Sequence, residues 1–385
     1  MIKKLIHLVL AMFVVGVVAA QEVSLRSDHP DEYVVVRGDT LWDIAGRFLD
    51  QPWQWPAIWH VNPQIDNPHL IYPGDRISLV YVDGEPRLVL DRGKPVVRLS
   101  PEMQRTPAEP IASIPLGDIQ PYLRNVWMAG DSEWENMAYV VANYEQRFAV
   151  PERDRTYARG VQGNVGDEFV IVRARNAYYR ETGWGQDDER KLRRVALGRF
   201  GDKVPSDHRE PMVGGELIGY EMWEVARATL VKQGDPAILE INSSRMETSE
   251  GDRVMPARDI VYDPYFQPHA MNTVPDGFEV LAVTENRHSV GHYDIVTLNV
   301  GANQGVETGH VFSAFRPGVE LRDPVKYPSG RWRVFSDEAE VTLPAEYDGQ
   351  VMVFRVFDEV SFALMMDGRR GIQENDILRH PSEKL

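Results

Sequence analysis

The chain has 385 residues, of which 43% are hydrophobic and 26% are charged, a composition typical of a globular protein with two or three domains. Its formal net charge of −16 argues against nucleic acid or anionic lipid as a ligand, because both favour a basic surface. The sequence contains no cysteine, which excludes disulfides, thiolate metal sites, thiol catalysis and a lipid-modified N-terminal cysteine.

Residues 1–20 have the pattern of a secretory signal peptide. Two lysines precede an apolar run from Leu5 to Val18, and small residues then lead into polar sequence,. The run is shorter than the ~20 residues that span a bilayer; a membrane anchor is the alternative. We expect the mature chain to begin near Gln21, in the periplasm and without a membrane span. Its net charge would be −18, since the removed segment carries two lysines and no acid.

From Tyr33 to Tyr81 the pattern predicts strand, helix, helix and strand. Thr40, with an acid three residues later at Asp43, is typical of a capping box at a helix start. The apolar residues that follow recur at helical spacing and end before Pro52: Leu41, Ile44, Ala45 and Phe48,. A second helix is predicted to begin at Pro56 and to end at Asn62-Pro63, and the second strand is predicted at Ile77–Tyr81.

The rest of the chain divides into a linker and two β-rich segments. Prolines recur about every six residues over 91–121, which favours an extended linker. Residues 150–262 and 278–381 are rich in short β-branched and aromatic runs between glycines, which predicts small barrels or sandwiches. The predicted strands are Glu168–Ala174, Trp223–Leu230, Ala237–Ile241, Tyr293–Val300, His310–Phe315, Val351–Phe357 and Val360–Met365. Trp134–Tyr144 fits either a helix or a strand.

A weak internal repeat indicates that the β-rich segments are duplicated domains. Arg245–Val254 aligns with Arg369–Leu378 at an offset of 124 residues, and Val165–Phe169 aligns with Thr308–Phe312 at an offset of 143. Either match alone could arise by chance, but both occur in the same order.

The segment Tyr33–Ala45, Asn62-Pro63 and Ile71–Ile77 resembles the LysM peptidoglycan-binding module, whose fold has the predicted βααβ order. The fold class expected is therefore α+β: a LysM domain at 33–82, the linker, and a mainly β region with a duplicated barrel or sandwich. Residues 49–55, between the two helices, are longer and richer in tryptophan than the usual connection.

The resemblance implies a shallow groove for N-acetylglucosamine-containing glycans between the loops 38–41 and 67–72. The implied glycan-binding residues are Gly38, Asp39, Thr40, Leu41, Asn67, Pro68, Leu70, Ile71 and Tyr72. Backbone groups would meet the acetamido group, and Leu41, Ile71 or Tyr72 would contact the apolar sugar face. Leu41 and Tyr72 as core residues, and Asp39 and Thr40 as helix caps, are the alternatives. The four tryptophans at 42, 53, 55 and 59 are either sugar platforms or packing residues.

Most of the mature chain is also similar to the LysM proteins associated with the type IV pilus secretin. The similarity lies in Asp75–Val82, Ile114–Gly117, Val165–Phe169, Leu217–Glu221, Leu298–Gly305 and His310–Phe312. One departure is Gln373-Glu-Asn-Asp376, where the resemblance leads us to expect a glycine before the aspartate. It implies an outer-membrane secretin ring as the protein partner of the C-terminal region. A linker of roughly 30 residues could then reach on the order of 90 Å from the wall.

An enzyme is the weaker alternative. The sequence has no G-x-S-x-G, H-E-x-x-H or H-x-H motif,. His288 and His292 are four apart and flank Gly291 in a β-rich stretch, and we do not expect them to be metal ligands. A hydrolase with a carboxylate pair stays open, because acids are plentiful. We expect no catalytic residue, no cofactor and no metal, and a role in tethering an envelope assembly to the wall; a free-standing wall-binding factor is a further alternative.

Overall fold

A computed structural model describes most of the chain. The described residues are 23–59, 71–91, 119–120, 126–144, 154–181, 192–197, 215–258, 266–283, 291–323, 325, 340–368 and 370–383. The predicted signal peptide and most of the predicted linker lie outside these ranges, as does the predicted end of the second helix.

The N-terminal part contains a small sheet covered by two helices. Its elements are β1 (Glu32–Val34), α1 (Leu41–Phe48), a 3-10 helix (Pro52–Gln54), α2 (Trp55–Trp59), β2 (Arg76–Val82) and β3 (Glu85–Asp91). The strands form an antiparallel sheet in the order β1-β2-β3. The predicted βααβ order is confirmed, and β3 is an additional strand. Ile44, Phe48, Ile58 and Ile77, each at most 1% exposed, form the centre of its core.

An eight-stranded sheet follows. Its strands are β4 (Val126–Ala129), β5 (Ala138–Asn143), β6 (Arg155–Arg159), β7 (Glu168–Glu181), β8 (Leu192–Ala196), β9 (Gly215–Lys232), β10 (Ala237–Ser244) and β11 (Arg253–Pro256). Helix α3 (Asp131–Asn136) lies between β4 and β5. The ambiguous segment Trp134–Tyr144 therefore contains the end of a helix and then a strand. The sheet also begins at 126, before the predicted domain start at 150.

The C-terminal part is a second, seven-stranded sheet with a separate ribbon. Its strands are β12 (His269–Ala270), β13 (Val280–Val283), β14 (Ile295–Leu298), β15 (His310–Arg316), β16 (Glu320–Arg322), β17 (Glu340–Thr342), β18 (Glu346–Val356), β19 (Ser361–Gly368) and β20 (Ile377–Arg379). A short 3-10 helix spans Ala302–Gln304. Strands β16 and β17 pair only with each other among the described residues. All seven predicted β runs overlap strands, so the mainly β character is confirmed.

Six strands of each large sheet repeat the same pairings. We call β5, β6, β7, β9, β10 and β11 the first unit, and β13, β14, β15, β18, β19 and β20 the second unit. Phe169 pairs with Ala228, and offsets of 143 and 123 residues take this pair to Phe312 and Val351, which are also paired. The register shift after Ile171 recurs after Ala314, again 143 residues later.

In each unit the strand pairings form a closed circuit. In the first unit, β9, β10, β6, β5, β11 and β7 are neighbours in that order, and β7 pairs again with β9. In the second unit, a bridge between Glu279 and Ile377 connects the β13 side to β20, which pairs with β15. The predicted duplication of one small β-domain stays a prediction, and this repeated register is the observation that supports it.

One turn recurs at the start of helices and strands throughout the described residues. A side chain accepts the backbone N–H of the residue three positions earlier, at 2.7–2.9 Å, and the residue before it has positive φ. The accepting residues are Asp39, Asp75, Asp167, Asp252, Asp294, His310 and Asp376. Glycine precedes five of them, because it adopts positive φ without steric cost. Asn375, with φ 70°, takes the place of this glycine before Asp376, because asparagine also tolerates this conformation.

The sheet of the second unit is apolar on both faces. Along β18, Val351 and Val353 pack in one buried cluster, while the alternating Met352 and Phe354 pack in another. Side chains of a strand alternate between faces, so a sheet with two apolar faces needs a cover on each side. The outer cluster also contains residues from other parts of the chain: Trp42, Trp53, Ile119 and Val126.

The N-terminal domain therefore packs directly on the second unit. Trp42 and Trp53 are 3% and 5% exposed in this interface. At its edge the Gln350 amide donates to Gln51 at 3.3 Å, and the Trp53 indole donates to the same Gln51 oxygen at 3.0 Å. Because the N-terminal domain and the second unit are in contact, the length of the linker does not determine the distance between them.

Replacing Trp53 should uncouple the N-terminal domain from the second unit. We expect Trp53→Ala to lower the free energy of unfolding by about 3–5 kcal/mol, since a large buried side chain leaves a cavity. In calorimetry, the N-terminal domain should then unfold in a separate transition at lower temperature. Tyr81→Ala, which removes an aromatic side chain that is 63% exposed, is the control. Equal effects of the two substitutions would contradict the interface.

Asp376 should make stability depend on pH in a defined window. Burial, together with the nearby Asp348 carboxylate, raises the pKa of Asp376 from its ordinary 3.8 to about 6. Between these values the native state keeps a proton that the unfolded chain has lost. Stability should therefore fall as the pH rises from about 4 to about 6, by about 3 kcal/mol at ~1.4 kcal/mol per pKa unit.

Asp376→Asn keeps the acceptor of the turn and removes the titration. Urea unfolding at pH 4 and pH 6.5 should show a smaller loss of stability for this variant than for the natural protein. Asp167→Asn alters the same turn where the carboxylate is exposed, and it should leave the pH dependence unchanged. An Asp376→Asn protein that retains the full pH dependence would rule out this carboxyl as its source.

Candidate functional site

The first loop of the predicted groove is a turn held by Asp39. The Asp39 carboxylate accepts the backbone N–H of Val36 at 2.8 Å and the Tyr33 hydroxyl at 3.0 Å. Gly38, with φ 99°, occupies the position that needs positive φ. Both hydrogen bonds of Asp39 are internal, so its side chain serves the shape of the loop.

Thr40 is the N-cap of α1 and is 4% exposed. Its hydroxyl accepts the Asp43 N–H at 3.1 Å, and the Asp43 carboxylate accepts the Thr40 N–H at 3.2 Å. The predicted capping box is thereby confirmed. The polar side chains of this loop are engaged by the loop itself, and a ligand would have to be recognised through backbone groups and the apolar surface next to them.

The residues that flank the two expected loops are adjacent. The Gly74 N–H donates to the Val35 carbonyl at 2.8 Å, and the Val35 N–H donates to the Asp75 carbonyl at 2.9 Å. Of the second loop, only Ile71 and Tyr72 lie among the described residues. Asn67, Pro68 and Leu70 lie outside the described residues, and their place in the site stays a prediction.

The apolar side chains expected to face a sugar differ in exposure. Leu41 is 2% exposed and Ile71 is fully buried, so both belong to the core, and their side chains are not available to a ligand. Tyr72 is half-buried, with its backbone N–H donated to Asp75 at 2.9 Å. Val36, which the sequence-based prediction omits, is 52% exposed beside the first loop. Alternation along Tyr33–Val36 would have indicated its outward direction.

The tryptophans of the domain are packing residues. Trp42, Trp53, Trp55 and Trp59 are each at most 6% exposed. Trp55 and Trp59 belong to the core of the N-terminal domain, whereas Trp42 and Trp53 cover the second unit. The sugar-platform alternative is therefore wrong for all four in this structure.

The second unit contacts the helix cap next to the first loop. The Tyr293 hydroxyl donates to the Asp43 carboxylate, 2.9 Å and 3.0 Å from its two oxygens. The ring of His292, an exposed residue, lies 3.7 Å from the Tyr293 ring, centroid to centroid. Sequence reasoning could not find this contact, because it joins positions 250 residues apart.

One group of side chains has the residue types of a metal site. His269, Glu307 and His310 place possible ligand atoms within 4.8 Å of one another. However, the Glu307 N–H donates to Nδ1 of His310 at 2.9 Å, so the neutral ring carries its proton on Nε2. Burial and the neighbouring His269 lower the pKa of His310. This geometry fits an uncharged structural histidine in a turn better than a metal ligand.

Comparison with known proteins identifies the N-terminal part. The model of the LysM domain family matches residues 33–80, the same segment that carries the two loops. Residues 33–80 are a LysM domain. Such a domain supports binding of peptidoglycan or a related carbohydrate.

A curated relative matches a short part of the chain. The chain is 38% identical over 60 residues to the uncharacterized protein YqbP of Bacillus subtilis (strain 168). The match covers 13% of this chain and about a quarter (27%) of the length of YqbP. Among the described residues, no helix is long and apolar enough to cross a membrane.

Removing the Tyr293 hydroxyl should loosen the LysM domain at its first loop. Tyr293→Phe keeps the ring and loses the hydrogen bond to Asp43, for which we expect a cost of about 1–2 kcal/mol. Amide hydrogen exchange of residues 38–44 should become faster than in the natural protein. Tyr81→Phe removes a hydroxyl from an exposed tyrosine of the same domain and should not change this exchange. Unchanged exchange in Tyr293→Phe would show that the contact does not support the loop.

Proposed function

We propose that this protein is exported to the periplasm and binds peptidoglycan, without catalysis, through its LysM domain, while its β-rich units hold an outer-membrane secretin or similar pilus-type assembly. The LysM match at 33–80 carries the wall-binding part of the proposal. The N-terminal sequence of residues 1–20 supports export. The similarity to secretin-associated LysM proteins supports the partner.

The geometry favours recognition of a glycan through backbone and apolar contacts. The first loop is shaped by Asp39 and capped by Thr40, and Tyr72 and Val36 provide apolar surface next to the joined loops. An acetamido group offers one donor and one acceptor, which free backbone groups can satisfy. A shallow site of this kind binds weakly, so firm anchoring requires several copies acting together.

The buried carboxylates favour binding over the hydrolase alternative. Each buried acid of the described residues accepts a hydrogen bond from a donor of the chain: Glu221, Glu224, Asp252, Asp348 and Asp376. Carboxylates of this kind stabilise the fold, whereas a glycosidase needs two that face the substrate.

The LysM domain and the second unit are in direct contact, and this contact determines how the protein would hold its partner at the wall. Trp42 and Trp53 join the two parts in one apolar cluster. The wall-binding domain and the second unit are therefore held together by this cluster, and the linker adds no reach between them. The protein would therefore hold its partner close to the wall.

Sedimentation with purified sacculi tests the wall-binding part. The mature chain, residues 21–385, should sediment with sacculi, and Tyr72→Ala should weaken this binding roughly 3–10-fold because an aromatic side chain is lost from the site. Tyr81→Ala, which alters an exposed tyrosine of the same domain away from the joined loops, is the matched control. Equal sedimentation of all three proteins would contradict the assignment of the glycan-binding groove to these loops.

The same variants test the partner. Crosslinking in intact cells, followed by isolation of the protein, should recover the secretin with both the natural chain and Tyr72→Ala. Only the natural chain should keep the secretin on isolated sacculi. Recovery of no outer-membrane assembly would leave the free-standing wall-binding factor as the function.

A further inference from the structure

Tyr293 occupies a backbone position that is unusual for a large side chain. Its φ of 64° lies in the left-handed region, where a bulky residue is strained and glycine is not. In the recurring turn, glycine holds this position before five of the seven accepting side chains, and Asn375 holds it before Asp376. Tyr293 precedes Asp294 and is the one aromatic residue at this position in these turns. A strained residue persists where the surrounding structure holds it, so the contacts of Tyr293 indicate its role.

The backbone of Tyr293 is fixed within the second unit. Its N–H donates to the Met365 carbonyl of β19 at 2.8 Å, and the Met365 N–H donates to the Asp294 carbonyl at 2.9 Å. The Asp294 carboxylate accepts the Gly291 N–H at 2.8 Å and closes the turn. The Tyr293 side chain packs against the apolar cluster that joins the second unit to the LysM domain. The backbone and ring are therefore held at this interface, and they direct the hydroxyl to the LysM domain.

The Tyr293 hydroxyl binds the carboxylate that caps the first loop of the LysM domain. It lies 2.9 Å from Oδ1 and 3.0 Å from Oδ2 of Asp43. The same Oδ2 accepts the Thr40 N–H at 3.2 Å and the Thr40 hydroxyl at 2.7 Å. Thr40 is the N-cap of α1 and belongs to the loop of residues 38–41. A residue of the second unit is therefore connected to this loop through one shared carboxylate.

A loop that recognises its ligand through backbone groups depends on how firmly those groups are held. The side chains of Asp39 and Thr40 are engaged within the first loop, so its backbone groups remain for recognition. A loop that is already ordered in the free protein loses less conformational entropy when the ligand binds, and the affinity is higher. Asp43 restrains Thr40 from within the LysM domain, and Tyr293 restrains Asp43 from outside it.

We propose that Tyr293 is a positioning residue for glycan binding, so that the second unit contributes to the affinity of the LysM domain. This inference rests on the proposed function, because it requires that the first loop binds glycan. Tyr293 acts on the loop through Asp43 and Thr40, without contact with the sugar. Coupling of this kind is reciprocal. Glycan in the groove therefore also stabilises the contact between the LysM domain and the second unit.

Binding of chitotetraose, a soluble oligomer of N-acetylglucosamine, by the mature chain tests the coupling. In isothermal titration calorimetry, Tyr293→Phe should bind roughly 5-fold more weakly than the natural protein, at the low end of coupling between sites. Phenylalanine keeps the ring in the apolar cluster and loses only the hydroxyl. Tyr81→Phe removes a hydroxyl from a tyrosine of the same domain that is 63% exposed, and this control should bind like the natural protein.

Replacement by glycine separates positioning from a purely structural role. Tyr293→Gly places the commonest residue of this turn at its position and relieves the backbone strain, but it removes the side chain that reaches Asp43. We expect chitotetraose binding to weaken by roughly 5-fold or more. Asn375→Gly makes the equivalent change in a turn whose N–H pairs with Val280 within the second unit, and binding should be unchanged. If Tyr293 served only the turn, both glycine variants would bind like the natural protein.

Amide hydrogen exchange tests the reciprocal effect. Saturating chitotetraose should slow the exchange of residues 293–295 in the natural protein, although they belong to the second unit and not to the groove. In Tyr293→Phe, saturation with the same ligand should leave the exchange of these residues unchanged. Exchange in the natural protein that does not respond to the ligand would contradict the coupling.

The calorimetric outcomes distinguish this inference from the proposed function. A natural chain that binds no chitotetraose contradicts the proposed function and this inference together. Binding that Tyr72→Ala weakens, but that Tyr293→Phe leaves unchanged, overturns this inference alone, whatever the glycine variant does.

Discussion

The second unit has a sheet that is apolar on both faces. The arrangement of the described parts of the chain follows from the burial of the outer face of this sheet. Met352, Phe354, Phe362 and Leu364 face outward from β18 and β19 and are at most 2% exposed. Aromatic side chains of the LysM domain and residues at the start of the first large sheet bury them. At ~25 cal/mol per Å², two tryptophans of 150–250 Å² each contribute several kcal/mol to this contact.

This interface explains the unusual sequence between the LysM helices. Residues 49–55 are long for such a connection and contain Trp53 and Trp55. Trp55 completes the core of the LysM domain, while Trp53 packs on the second unit. The tryptophans therefore belong to packing. Tyr293 adds a polar contact between the second unit and the LysM domain, because it donates to the Asp43 carboxylate that caps α1.

The recurring turn gives the units their common register. An aspartate or histidine side chain binds the backbone three residues earlier and starts the next strand in a fixed direction. Asp167 and His310 start β7 and β15, and Asp252 and Asp376 precede β11 and β20. His310 performs this role with Nδ1, which is why a histidine aligns with an aspartate in the repeat. The same pairings then follow in both units, including their irregularities.

The sequence by itself determined the local features of this protein. The capping box at Thr40, the strands at the seven β runs and the LysM segment at 33–80 all rest on neighbouring residues, whose spacing shows which face or turn they form. The repeat was also visible, because an Asp and its preceding left-handed residue are only one position apart.

Only the tertiary structure decided which exposed or buried role each apolar residue has. The sequence was compatible with either a sugar contact or a core position for Leu41, Ile71, Trp42 and Trp53. Hydrophobicity alone does not show which residues a side chain packs against. The burial of Trp42 and Trp53 depends on residues hundreds of positions away, such as Phe354 and Leu364. Val319, Leu321, Val341 and Leu343 of the β16–β17 ribbon are the opposite case: they resemble core residues in sequence, but the fold leaves them 38–60% exposed.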